Sequence, residues 1–127
     1  MHSIKILLYL CRMNIENTNA QMRKGVLELC ILSIISRKEA YASDILEILK
    51  SQQMIVVEGT LYPLLTRLKN DGYLEYYWEE SKSGPPRKYY KITVLGERFL
   101  KELVSSWHEM QQIVTALIGE KDQDNNL

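Results

Sequence analysis

Apolar residues along the chain change their period twice, and each change marks the edge of an element. Residues 14–20 are polar. Val26, Leu27, Leu29, Cys30, Ile31, Ile34 and Ile35 then form a wide apolar stripe, which predicts a buried first helix over about residues 20–36. Arg37-Lys38-Glu39 reads as a connecting turn. Ser43 and Asp44 signal the start of a second helix with Ile45, Leu46, Ile48 and Leu49 inward. Gln52-Gln53-Met54 links it to a third, where Leu61, Leu64, Leu65 and Leu68 recur at i, i+3, i+4 and i+7. Gly59, Tyr62, Thr66 and Lys69 share the opposite face of that helix, which carries a phenol, a hydroxyl with its methyl, a cation and no acid. Pro63 is tolerable there if the helix starts between Glu58 and Thr60, because most N–H groups of a first turn have no intrahelical partner. Gly72 stands where a helix end takes left-handed backbone.

After Gly72 the period becomes two. Leu74, Tyr76 and Trp78 fall on one side, with Tyr73, Glu75, Tyr77 and Glu79 on the other. Ser81-Lys82-Ser83-Gly84-Pro85-Pro86 is a loop by its turn residues, and residues 87–92 form a second strand in which Lys88, Tyr90 and Ile92 alternate with Arg87, Tyr89 and Lys91. The aromatics of this hairpin read as core and cross-strand pairs. Thr93 then caps a final helix, with Glu97 near its positive end. Within it Leu100, Leu103, Trp107, Met110, Val114 and Leu117 are spaced 3, 4, 3, 4 and 3, a heptad seam thickened by Phe99, Val104 and Ile113. The expected fold is mainly α with a small β-hairpin: a winged helix-turn-helix plus a C-terminal dimerisation helix. Its parts are an N-terminal extension (1–19), a DNA-binding domain (20–93), the dimerisation helix (94–118) and a flexible acidic tail (119–127).

Composition narrows the functions. A chain of 127 residues makes one domain. Sixteen basic and sixteen acidic residues cancel, so any preference for nucleic acid must come from local distribution. Lys82, Arg87, Lys88 and Lys91 cluster around the hairpin tip without an acid, whereas Glu120, Asp122 and Asp124 crowd the tail. No nucleophile–base set, phosphate loop or metal cluster is apparent, so neither an enzyme nor a cofactor is expected. Cys11 and Cys30 have no metal or redox spacing, which fits a reducing cytoplasm. Ile4-Lys5-Ile6-Leu7-Leu8-Tyr9-Leu10-Cys11 is apolar but too short to span a bilayer. It lacks the small-residue cleavage site of a signal peptide. It reads as an added turn of helix or as the product of an upstream start codon, with Met13 or Met22 the native start.

A polar, acid-free helix face beside a basic hairpin suits the major groove of double-stranded DNA. Met22-Arg23-Lys24-Gly25-Val26-Leu27-Glu28, Glu58-Gly59-Thr60-Leu61-Tyr62-Pro63-Leu64-Leu65, Tyr77-Trp78-Glu79-Glu80, Ser83-Gly84-Pro85-Pro86-Arg87-Lys88-Tyr89-Tyr90 and the Ile92-Thr93-x-x-Gly96 run occur in order. Together they resemble the PadR family of bacterial transcriptional regulators, over about residues 20–118. The single terminal helix is similar to the short subfamily. The resemblance implies a homodimer through the first and last helices and repression by operator occlusion.

Carried onto this chain, it places Tyr62 and Thr66 at the groove, and Thr60 and Gly59 at a helix N-terminus that favours a phosphate oxygen. Arg87 and Lys88 contact the backbone beside the wing, with Lys82 reaching an adjacent groove. Lys69 and Lys82 are equally explained by solvation, and Arg67 by a pair with Asp71. Leu100, Leu103, Trp107, Met110, Val114 and Leu117 form the expected dimer interface. Multidrug-binding members of the family place a tryptophan near the position of Trp107, so Leu103, Trp107 and Met110 are the candidate site for a planar aromatic effector. The plainer alternative is that Trp107 fills the seam. A winged-helix protein-interaction module is the alternative to a DNA-binding repressor.

Overall fold

In the computed structural model, which describes residues 2–81 and 83–125, three leucines of the third helix are fully buried in the core. The elements follow in the order α1 (His2–Arg37), β1 (Ala40–Tyr41), α2 (Ala42–Ser51), α3 (Glu58–Asn70), β2 (Leu74–Glu79), β3 (Arg87–Ile92) and α4 (Val94–Asn125). Leu61, Leu65 and Leu68 of α3 pack with Leu27, Ile31, Leu32 and Ile35 of α1, Ile45 and Leu49 of α2, Leu74, Tyr90 and Leu100. A mostly helical domain with a small antiparallel sheet and a terminal helix is the expected class.

α1 departs from the expectation by starting at His2 rather than near residue 20. No proline or glycine precedes Gly25, so nothing in the sequence stops the helix. Residues 3–18 are all exposed, including Ile4, Leu7, Leu8 and Tyr9, so this part of α1 stands clear of the core.

Ala40 and Tyr41, which lie between the expected turn at residues 37–39 and the expected helix start at Ser43, form a strand. They pair with Tyr90 and Tyr89, giving the sheet order β1-β3-β2. Two residues are too few for a period to register. α2 accordingly begins after Tyr41, not at Ser43. Asp44 supports its entry from inside, its Oδ2 accepting the Tyr41 N–H at 3.1 Å. Ile48, expected inward, is exposed. Gln53 takes a left-handed φ of 66° as α2 ends, and the Met54 N–H reaches the Leu49 carbonyl at 2.8 Å.

α3 starts at Glu58, so Pro63 is its sixth residue and lies beyond the first turn. The missing N–H leaves the Gly59 carbonyl without its i+4 partner. At the other end Gly72 has φ 84°, and the Tyr73 N–H returns to the Leu68 carbonyl at 2.9 Å.

The junction to α4 is tight. The Thr93 hydroxyl donates to the Gly72 carbonyl at 2.6 Å and accepts the Gly96 N–H at 2.9 Å. Gly96 passes so close to Tyr73, the residue before β2, that a Cβ on it would lie 2.1 Å from the Tyr73 carbonyl oxygen. Tyr73 and Phe99 stack with centroids 4.1 Å apart. The helix then continues to Asn125, through residues 119–125 that were expected to form a flexible tail. Residues 120–125 contain neither proline nor glycine to end it; residues 126–127 lie outside the described residues. Among the described residues no helix is long and apolar enough to cross a membrane.

Candidate nucleic-acid interface

Alternation along the hairpin decides which side chains share a surface with α3. Leu74, Tyr76 and Trp78 pair with Ile92, Tyr90 and Lys88, and these six occupy one face of the sheet. The inner end of that face, Leu74 and Tyr90, is buried in the core under α3. Its outer end is exposed. Between the two, a hollow of about 80 Å³ is lined by Thr66, Lys69 and Asn70 of α3 and by Tyr76, Lys88 and Tyr90 of the hairpin, with no carboxylate. Lys88 Nζ lies 4.5 Å and Lys69 Nζ 5.8 Å from the centroid of the Tyr76 ring. Cations from two elements thus converge on one aromatic ring, which attracts them without neutralising them.

On α3 itself Tyr62 is half exposed and Thr66 is exposed. The Thr66 hydroxyl donates to the Tyr62 carbonyl at 3.0 Å, so the side chain offers its surroundings a methyl group and an oxygen acceptor. Gly59 is exposed and Thr60 half-buried at the N-terminus, where Val57 caps without a side-chain bond. Arg67 pairs with Glu28 of α1 at 2.9 Å rather than with Asp71.

Arg87 and Lys88 diverge. Lys88 joins Lys69 on the α3 side, whereas Arg87 lies on the reverse face, over the Tyr41 ring at 5.7 Å and opposite Glu79. That reverse face ties the hairpin to β1. The Tyr77 hydroxyl donates to Glu39 at 2.8 Å and the Tyr41 hydroxyl to Glu79 at 2.9 Å, with the Tyr89 ring set edge-on to both rings. The carboxylate acceptors favour the protonated phenols: the bond to Glu39 pushes Tyr77 up to about 12, and the bond to Glu79 raises Tyr41. Lys82 lies outside the described residues.

The seam residues of α4 divide. Leu100 is buried in the chain's own core and Leu103 packs against it, while Trp107 is 39 % exposed and Met110, Val114 and Leu117 stand in the open. A cleft of about 980 Å³ lies apart from Trp107, between α1 and α2, with Leu29, Cys30, Ile34 and Ile48 among its lining. Burial raises the Cys30 thiol above its ordinary value. Sequence reasoning missed Trp78 by counting it with the core and cross-strand aromatics. It lies near the tip of β2 with 62 % of its surface exposed. The alternation of period two placed it beside Tyr76, but only the register shows that this end of the face extends past the cover of α3.

Residues 31–102 match the profile of the transcriptional regulator PadR-like family. Solved structures agree. A PadR-like transcription factor from Bacteroides fragilis is 58 % identical, with a TM-score of 0.68 over 80 % of this chain and 98 % of that one. A PadR family transcriptional regulator from Eggerthella lenta is 31 % identical, with a TM-score of 0.81 over 87 % of this chain and 96 % of that one. A PadR-like transcriptional regulator from Bacillus cereus is 41 % identical, with a TM-score of 0.68 over 77 % and 96 %.

Proposed function

Because the chain belongs to the PadR-like family of DNA-binding transcriptional regulators, we propose that it is a cytoplasmic repressor, acting as a homodimer that occludes a two-fold symmetric operator and is released by a small-molecule effector. The observation that carries the reading is the acid-free hollow where Thr66 of α3 adjoins Lys69 and Lys88 around Tyr76, with Tyr62 exposed one turn before Thr66. α3 enters the major groove, where the Thr66 methyl and oxygen meet base edges and Tyr62 meets a phosphate or a thymine methyl. The two lysines take the adjoining phosphates.

Support for a dimer comes from α4. Trp107, Met110, Ile113, Val114, Leu117 and Ile118 are all exposed along one helix, a larger apolar surface than a lone monomer keeps in water. A second copy covering it supplies the two-fold axis that paired half-sites require. Trp107 and Met110, open to solvent in the single chain, adjoin Leu103 on that helix, and a pair of such surfaces makes an adaptable site for flat aromatic molecules.

The test is selection of duplexes from a random library on the immobilised protein, followed by footprinting of the enriched sequence. Protection of two half-sites about 10 bp apart, centre to centre, supports the symmetric repressor. Loss of that protection on adding a planar aromatic cation supports effector release. An unenriched library refutes sequence-specific binding.

A further inference from the structure

Trp78 has the largest side chain on the hairpin, and the fold leaves most of it in water. Its place is nonetheless well defined. The Trp78 and Tyr76 rings lie perpendicular, at 87°, with centroids 6.1 Å apart, and Lys88 Nζ sits 5.5 Å from the centroid of the Trp78 ring. Following the face outward from α3, the order is Lys69, Tyr76, Lys88, Trp78: cation, ring, cation, ring. Glu75 and Glu79, the acids of the same strand, pair with Lys91 and Arg87 on the reverse face. A surface that alternates ammonium groups with aromatic rings matches the wall of a DNA groove, in which phosphates alternate with deoxyribose rings. An apolar protein surface would have to desolvate Lys88 to reach the indole.

On the reading of the chain as a DNA-binding regulator, we propose that Trp78 is itself a DNA contact. The indole packs on a deoxyribose of the groove beside the one that α3 enters, while Lys88 holds the neighbouring phosphate. Bases in an intact duplex are stacked and offer no free face, so the ring meets sugar and the contact carries affinity rather than sequence preference.

Only Trp78 and Trp107 are tryptophans, so a Trp107→Phe protein reports Trp78 alone. The probe is a set of duplexes of about 30 bp, selected from a random library on the full-length protein and long enough for two half-sites. Saturation with them should quench or shift the Trp78 emission. Trp78→Ala should raise Kd about five- to thirtyfold for all selected duplexes alike. The slope of log Kd against log salt should stay unchanged, because the indole displaces no counterion, whereas Lys88→Ala should flatten it by about one unit. Unchanged emission at saturation, or an unchanged Kd for Trp78→Ala, overturns the assignment; the emission measurement stands even if that variant fails to fold. Should the protein retain no duplex at all, DNA binding itself fails, a result distinct from bound duplex with a silent Trp78.

Discussion

Arg67 belongs to α3, yet its guanidinium turns away from the wing and meets Glu28 of α1, Nη2 to Oε2, at 2.9 Å. Both side chains keep part of their surface in water, so screening limits the pair to about 0.2–1 kcal/mol. Its main effect is directional: it draws one cation of α3 toward α1. Arg67→Ala should therefore lower stability by less than about 1 kcal/mol. It should also leave the salt dependence of DNA binding as it is. Chemical denaturation and anisotropy titrations across salt concentrations check the two halves. A flattened slope would place Arg67 on a phosphate.

Arg87 and Lys88 are adjacent in sequence but occupy opposite faces of β3, and their substitutions should differ. Lys88→Ala should reduce the salt slope by about one unit, the effect of freeing a single phosphate. Arg87→Ala should change it less, since Arg87 lies by the Tyr41 ring and opposite Glu79. Equal effects would mean that both cations reach DNA.

Gly96 cannot accept a side chain without moving backbone, because a Cβ would meet the Tyr73 carbonyl at 2.1 Å. Gly96→Ala should cost about 1–3 kcal/mol, as overpacking does. A thermal melt would read this as a fall in Tm of several degrees. An unaltered Tm would mean that α4 shifts freely on the wing.

Dimerisation can be tested without harming the monomer core, because Met110 and Leu117 are exposed in the single chain. Replacing both by Asp should place four like charges across a paired α4 seam at a cost of several kcal/mol. Sedimentation should then show monomer with an unchanged helical signal. A double variant that stays dimeric would move the interface off this seam. Leu103 is unsuitable for the purpose, since it packs against the chain's own core.

Tyr77 provides a pH prediction. Its folded value, about 12, exceeds its ordinary value of 10 because Glu39 accepts its proton in a hydrogen bond. A group whose value rises on folding adds stability below its unfolded value and loses it as pH climbs through the folded one. The Glu39–Tyr77 link should thus hold to about pH 10 and disappear by about pH 12. Absorbance titration of the phenolates should show a late component, and Glu39→Gln should bring it back toward the ordinary range.

Long, strongly periodic segments are readable from sequence. The leucine stripe of α3, the pairing of residues 74–79 with 87–92 and the Thr93 cap all rest on spacings or local chemistry that survive folding. Their tertiary partners are not. Nothing local to Arg67 distinguishes Asp71, four residues away, from Glu28, which only packing brings near. β1 is two residues long and owes its identity to Tyr89 and Tyr90 across the sheet. For Trp78 the period supplies a face but not a distance from α3. The division of the α4 seam between Leu100 inside and Leu117 outside likewise depends on where the domain ends, which a heptad does not record.

The clasp of Thr93 and Gly96 on residues 72–73 turns α4 into a lever. A helix of 32 residues is about 48 Å long at 1.5 Å per residue. With its root locked to the wing, a tilt of about 5° carries the far end about 4 Å by the same geometry. The relation also runs backward: whatever grips the outer turns of α4 pulls on residues 72–73, the link between α3 and the wing that Thr93 and Gly96 hold. In a dimer paired through α4, as proposed, discrimination between sites whose halves lie at different separations would be set by the angle at which two such levers cross, far from any base.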